Sequence, residues 1–266
     1  MTSRLAGLDR AGLRFDLGEP HAGVATVTLS RPERRNAMTP RMWRGLADIG
    51  RSLPADIRVV VVRGAGPSFS SGIDLRVLAG DGADEADQVP SPADPGFEDW
   101  IAACQEGFAW LRDPSLISVA AVKGHAIGAG FQLALGCDLR VLADDAKLCM
   151  KEPSLGLVPD LMGTKPLVDI VGLPRALEIC LTGRSVPAAE AGELRLAELV
   201  VPVADLDGTV ADLTAALLAV DPATARATKE LLAQAQRNTL EQQAAAERKA
   251  QATLLRSRLR DAGTEP

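Results

Sequence analysis

The segment 123–138, KGHAIGAGFQLALGCD, places several glycines between two apolar runs. The run Ile117–Val122 ahead of it predicts a buried strand, and a helix is predicted to begin near Ala129 or Gly130. A turn of this kind exposes free backbone N–H groups, and the helix dipole adds partial positive charge at the same place. The sequence therefore predicts a site for an anion or for a developing oxyanion.

A second junction of this kind follows the apolar run Val59–Arg63, which also predicts a buried strand. Gly64–Pro67 breaks the strand, and Ser68–Leu75 is predicted to be a loop that enters a helix. Two such junctions could each aim one N–H group at a shared carbonyl oxygen.

Four segments, at residues 29–38, 69–75, 124–138 and 152–164, carry a family resemblance by their order and spacing. Through them the chain, from Thr26 to about Asp261, resembles the crotonase or enoyl-CoA hydratase/isomerase superfamily. The resemblance implies an α/β fold built as a ββα spiral, with an acyl-CoA thioester as substrate. It implies that the thioester carbonyl is held by the N–H groups of Ile73 and Ala129, and that coenzyme A enters only as part of the substrate, with no separate cofactor or metal.

Glu152 is the first candidate for a catalytic base. It follows the apolar run Leu148–Met150 and precedes Pro153, so it can be held rigidly at a strand end. Removing a proton from the carbon beside a thioester needs such a base as well as an oxyanion hole. The resemblance matches Glu152 to the second of two hydratase glutamates, and the alternative is an ion pair with Lys151 or an arginine.

Gln132 occupies the position of the first hydratase glutamate in this resemblance. An amide cannot exchange protons at physiological pH, so the substitution favours double-bond isomerisation over hydration. Gln132 is expected either to orient water or substrate, or to serve as a polar residue of the helix.

Asp160 strengthens the case for isomerisation. The segment 151–164 resembles the corresponding stretch of dienoyl-CoA isomerases, which carry an acid and base pair at the positions of Glu152 and Asp160, although Gln132 stands where that subfamily has an aspartate. The alternative is that Asp160 caps the helix predicted over Thr164–Ile170.

A further group of residues is expected to bind substrate or CoA: Arg34, Arg35, Ser71, Gly72, Asp74, Arg76 and Gly128. Solvated surface arginines and a helix-capping role for Asp74 are the competing interpretations. Asp138 is expected to be structural, and His125 to be a packing residue.

Composition limits the remaining choices. With 266 residues, 47% of them hydrophobic, the chain can bury one good core. The formal charge of −6 argues against nucleic acid, and the four cysteines match no metal-ligand spacing. No run of eighteen apolar residues and no apolar leader in Met1–Phe15 is present, so the sequence predicts a soluble, cytoplasmic protein without a membrane partner.

Local patterns predict the elements around these residues. Leu13–Leu17 and Gly23–Leu29 form a predicted strand pair, and Thr39 is predicted to cap a helix that runs to about Leu53. Residues 80–96 predict a loop, which either borders the acyl pocket and limits substrate length or is a solvated surface loop.

The sequence divides into a catalytic domain, residues 1–204, and a helical segment, residues 205–266. Leu254, Leu255 and Leu259 give the last helix an apolar stripe, and the resemblance implies assembly into a homotrimer or a dimer of trimers. We expect an isomerase acting on an enoyl- or dienoyl-CoA, with hydration of a 2-enoyl-CoA as the second hypothesis. A non-catalytic acyl-CoA binder is the third.

Overall fold

A computed structural model describes residues 5–80 and 85–261, and residues 81–84 of the predicted loop lie outside this range. The strands are β1 Leu13–Leu17, β2 Val24–Leu29, β3 Val59–Gly64, β4 Ile117–Val122, β5 His125–Ile127, β6 Leu139–Ala143, β7 Lys147–Cys149, β8 Val186–Pro187 and β9 Leu199–Val201. The helices are α1 Pro40–Ser52, α2 Leu75–Leu78, α3 Phe97–Ala109, α4 Ala129–Gly136, α5 Thr164–Thr182, α6 Ala188–Glu193, α7 Leu206–Leu218, α8 Pro222–Ala235 and α9 Leu240–Asp261. Short 3₁₀ turns include Pro32–Arg34, Glu85–Asp87 and Glu152–Leu155.

A six-stranded sheet runs in the order β1-β2-β3-β4-β6-β9. Within this sheet β2, β3, β4, β6 and β9 are parallel to one another, and β1 pairs antiparallel with β2 at one edge. Val59–Val62 of β3 is buried on both faces, because Val60 and Val62 enter the main core while Val59 and Val61 pack beside Leu206 and Val210 of α7. The predicted strands at β1, β2, β3 and β4 are confirmed.

A smaller sheet, β5-β7-β8, is extended by single parallel bridges between Ser70 and Ala126 and between Met38 and Ile73. Each of β2, β3, β4 and β6 is thus followed by a residue or strand of this second layer and then by helical structure. This repeat is the predicted ββα spiral. The sequence did not predict the short strand β5 inside the glycine-rich segment.

Helix starts follow the predicted capping. The Thr39 side chain accepts a hydrogen bond from Met42 N at 3.3 Å, and Pro40 occupies the first helical position of α1. Helix α4 begins at Ala129, as expected. None of the helices in the described ranges is long and apolar enough to cross a membrane.

Residues 206–261 are almost wholly helical, as predicted. Helix α7 packs on the large sheet, whereas α8 contains no buried residue. The division at residue 204 remains a prediction.

Candidate active site

A cavity of about 460 Å³ opens between helices α1–α4 and the segment that follows β7. Its polar lining residues are Ser71, Lys151, Glu152 and Asp160. Its wall also contains Ile73 and Ala129 with the glycines beside them, and the rest is apolar. The structure therefore brings both glycine-rich junctions and two of the three predicted catalytic side chains to one cavity.

The first junction places Ala129 at the start of α4. Gly128 before it has φ +50° and ψ −121°, a conformation that residues with a Cβ rarely adopt. The N–H of Ala129 donates to no described backbone or side-chain acceptor, as expected for the first turn of a helix.

The second junction directs the N–H of Ile73 away from the adjacent segment that contains Met38. Met38 N donates to Gly72 O at 2.7 Å, and Asp74 N donates to Met38 O at 2.8 Å. In a parallel bridge of this kind the N–H of the central residue points to the opposite side. The Ile73 N–H donates to no acceptor within the described residues.

Glycines allow the two junctions to touch. A Cβ on Gly72, whose φ is +86°, would lie 2.6 Å from Ile127 O and 3.6 Å from Ala129 N. A Cβ on Gly130 would lie 2.7 Å from the Ser70 Cβ. Any larger residue at either glycine would push the two junctions, and the two available N–H groups, apart.

Glu152 is 8% exposed and lies in a 3₁₀ turn just after β7. Its Oε1 accepts a hydrogen bond from Gln132 Nε2 at 2.7 Å, whereas its buried Oε2 has no hydrogen-bond partner in the described part of the chain. Burial raises the pKa of Glu152, which makes the carboxylate a better proton acceptor near neutral pH. No ion pair joins it to Lys151 or to a described arginine, so the alternative considered for this residue is wrong.

Gln132 is fully buried and does not line the cavity. Its Oε1 accepts hydrogen bonds from Leu161 N at 2.8 Å and Gly163 N at 3.2 Å. Because backbone amides can only donate, these contacts orient the side-chain amide with its NH₂ group toward Glu152. The expectation that Gln132 touches water or substrate is therefore corrected, since it holds Glu152 and the segment that carries Asp160.

Asp160 lies on the cavity wall, eight positions after Glu152. Its backbone carbonyl accepts a hydrogen bond from Gln105 Nε2 of α3 at 2.6 Å. The surrounding protein displaces water from its side chain and raises its pKa, although the residue is exposed toward the cavity. Helix α5 begins at Thr164 without a side-chain cap, so the capping alternative for Asp160 is wrong.

The predicted substrate- and CoA-binding residues fall into two groups. Ser71, Gly72 and Gly128 line the cavity, whereas the other four, Arg34, Arg35, Asp74 and Arg76, do not. Asp74 instead caps α2 and accepts hydrogen bonds from Arg76 and Arg31, which lower its pKa to about 2. Arg34 and Arg35 are exposed in a 3₁₀ turn and at its end.

Helix α3 supplies cavity residues that the sequence analysis missed. Phe97, Trp100, Ile101 and Cys104 all line the cavity, together with Trp43 of α1. The signal was their spacing of three, four and seven positions, which marks one face of a helix.

Comparison with known proteins decides the family. A sequence model described as enoyl-CoA hydratase/isomerase matches residues 19–264, nearly the whole chain. The chain belongs to the enoyl-CoA hydratase/isomerase family. The fold is accordingly the crotonase fold that the resemblance implied.

Relatives within this family differ in their named reactions. A dienoyl-CoA isomerase of Rattus norvegicus mitochondria is 34% identical over 193 residues, covering 69% of this chain and 57% of that protein. A hydroxycinnamoyl-CoA hydratase-lyase of Pseudomonas fluorescens is 32% identical over 209 residues, covering 78% of this chain and 74% of that protein.

One solved structure is similar over almost the full length. It is a protein of Thermobifida fusca YX, named as a candidate enoyl-CoA hydratase and solved with acetoacetyl-CoA. The two chains share 55% identity with a TM-score of 0.91, over 97% of this chain and 98% of the other.

Proposed function

We propose that this protein is an isomerase that moves a double bond of an enoyl- or dienoyl-CoA. The observation that carries the proposal is Glu152: a buried carboxylate whose Oε2 has no partner among the described residues, on the wall that also holds Ile73 and Ala129. Burying such a group costs stability, and a binding site without chemistry has no use for it.

The proposed reaction begins with the thioester oxygen accepting hydrogen bonds from the N–H groups of Ile73 and Ala129. Glu152 Oε2 then takes a proton from carbon 2, and the C–H electron pair moves into an enolate whose charge rests on that oxygen. The proton returns farther along the chain and the double bond shifts. The product has the same atoms and the same charge as the substrate.

Asp160 supplies a second proton-transfer group for a longer conjugated substrate. In a 3,5-dienoyl thioester the enolate formed by loss of a carbon 2 proton to Glu152 extends to carbon 6, where a protonated Asp160 could deliver its proton and leave a 2,4-dienoyl thioester. The raised pKa of Asp160 favours its protonated form.

Gln132 argues against efficient hydration, which is the second candidate function. Adding water needs one group to activate it and assist its addition, and Gln132 cannot exchange a proton. It is also held by Leu161 and Gly163 and turned toward Glu152. A hydratase activity keeps support from relatives named as hydratases.

The test is incubation with 2-enoyl-, 3-enoyl- and 3,5-dienoyl-CoA thioesters, with products identified by mass and ultraviolet absorbance. We expect products of unchanged mass and altered absorbance. Products heavier by one water would support the hydratase, and the absence of turnover on every thioester would favour the non-catalytic binder.

Assembly, location and the outer CoA contacts are part of the same proposal. A homotrimer or dimer of trimers would cover α8, and Arg34 and Arg35 are exposed for a CoA phosphate. The cytoplasmic location stays a prediction.

A further inference from the structure

The chain has few aromatic residues, and the cavity holds a large share of them. There are five phenylalanines, three tryptophans and no tyrosine in 266 residues. Trp43, Phe97 and Trp100 all line the cavity. Three of the eight aromatic residues of the chain thus lie in the wall of one cavity.

The aromatic side chains form a flat and well-supported wall. The rings of Phe97 and Trp100 are near-parallel, with centroids 5.7 Å apart and 17° between their planes. Trp43 is buried, and its indole N–H donates to Met38 Sδ at 3.5 Å. Helix α3 is held close to α1, since a Cβ on Gly107 would lie 2.4 Å from Trp43 O.

The most buried part of the cavity lining is largely apolar. Trp43, Cys104 and Leu161 belong to it and are all buried, whereas the lining residues Leu75 and Val158 are exposed at the cavity mouth. Burial raises the pKa of Cys104 to about 12, so its thiol stays neutral. This part of the cavity therefore favours an apolar group over a charged one.

The aromatic wall and the two carboxylates line the same cavity. Glu152 adjoins the first junction, because a Cβ on Gly128 would lie 3.0 Å from its Oε1. Asp160 is tied to α3 through Gln105. A thioester held at Ile73 and Ala129 would therefore lie beside Glu152, and its acyl group would share the rest of the cavity with Asp160 and the rings of α3.

We propose that the substrate is an aryl-substituted alkenoyl-CoA, whose aromatic ring packs on Phe97 and Trp100 beyond the carbons that exchange protons. The inference rests on the proposed function and specifies the class of acyl group. Aromatic rings attract one another in offset-stacked or edge-to-face arrangements beyond what their buried area provides.

The experiment measures binding by calorimetry with saturated thioesters, which cannot be isomerised. The probes are 4-phenylbutanoyl-CoA and decanoyl-CoA, whose acyl groups have equal carbon number, with acetyl-CoA as reference. Because the linear chain exposes more apolar surface, hydrophobicity alone would favour decanoyl-CoA. We expect the phenyl compound to bind about three- to tenfold more tightly than decanoyl-CoA.

Trp100→Leu should abolish this preference while acetyl-CoA affinity stays within about twofold. The matched control is Trp110→Leu, since Trp110 lies outside the cavity and donates to Gly107 O at 3.1 Å. If Trp100→Leu fails to fold, as judged by circular dichroism, Phe97→Leu takes its place.

Tighter binding of decanoyl-CoA, or an unchanged preference in Trp100→Leu, would overturn the inference and leave the isomerase proposal standing. If none of the three thioesters binds, the proposed function itself fails.

Discussion

At the residue scale, Gln132 holds the carboxylate of Glu152 in place through one of its two oxygens. Gln132 Oε1 accepts hydrogen bonds from two backbone amides, and the NH₂ group of Gln132 donates a hydrogen bond to one oxygen of Glu152. The other oxygen is left buried and without a partner among the described residues. The pair thus fixes the carboxylate without neutralising it.

Glu152→Gln should remove nearly all of the proposed isomerase turnover, because the amide cannot take a proton. Proton transfer by a placed group accounts for about 10²–10⁴ in rate, so kcat should fall by at least that range. Affinity for a saturated acyl-CoA should stay within about threefold, since the substituted side chain keeps its size. Glu178→Gln, which changes a partly exposed carboxylate outside the cavity, is the control. Full activity in Glu152→Gln would point to Asp160 as the base.

Gln132→Glu should raise hydration of a 2-enoyl-CoA relative to isomerisation, measured as the product ratio. The change places a second carboxyl group in contact with Glu152 Oε1, where Gln132 Nε2 now lies at 2.7 Å. Two carboxyl groups at this distance share one proton, which supplies the missing donor. An unchanged ratio would mean that position 132 has no part in the choice of reaction.

The raised pKa of Glu152 sets a pH dependence of stability. A carboxyl group whose pKa is higher in the folded protein than in the unfolded chain stabilises the fold below its unfolded pKa. That contribution is lost as the pH rises through the folded pKa. Glu152→Gln should therefore raise Tm by about 2–4 °C at pH 8, and the difference should vanish near pH 4. A variant that is less stable at pH 8 would show that burial of Glu152 carries no such cost.

At the scale of elements, one lysine connects α8 to the body of the protein. Lys229 Nζ donates to Asp138 Oδ2 at 2.7 Å and to the carbonyls of Asp113 and Leu116 at 2.8 Å each. Asp138 also accepts from Ser118 N at 2.9 Å, which confirms its structural role. The contact joins α8 to the start of β4 and β6.

Lys229→Met should lower the free energy of unfolding by about 1–3 kcal/mol, because it leaves a half-buried carboxylate and two carbonyls without their shared donor. Urea denaturation measures this change. Arg226→Met on the same helix removes an exposed pair with Glu230 and should cost less than about 0.5 kcal/mol. Equal effects of the two variants would contradict the anchoring role of Lys229.

At the scale of the whole molecule, the C-terminal helices expose apolar side chains that a monomer leaves in water. Leu232 of α8 is 69% exposed and Leu255 of α9 is 49% exposed. Closed cyclic assemblies are the usual way in which a chain buries such a surface. We expect sedimentation velocity to show a homotrimer or a dimer of trimers at micromolar concentration. A stable monomer would contradict this prediction, and Leu232→Glu should shift the population toward monomer if α8 lies in the interface.

The sequence alone determined the strands β1–β4, the helix starts at Pro40 and Ala129, and the family to which the chain belongs. The strands and helix starts are local features, because apolar periodicity, glycine and capping residues act within a few positions of the chain. The family follows instead from the order and spacing of four segments between residues 29 and 164. The family resemblance singled out Gln132, whereas Glu152 was marked both by that resemblance and by its place after an apolar run.

Tertiary structure decided what those residues do. Gln132 contacts Glu152, Leu161 and Gly163 across 20–31 positions, and no local pattern shows which way its amide turns. One face of α3 lines the cavity because Gly107 lets that helix pack closely against α1. This contact is visible only in the tertiary structure. Apolar spacing on a helix predicts burial but does not distinguish a packed core from the wall of a binding cavity, since both exclude water with the same side chains.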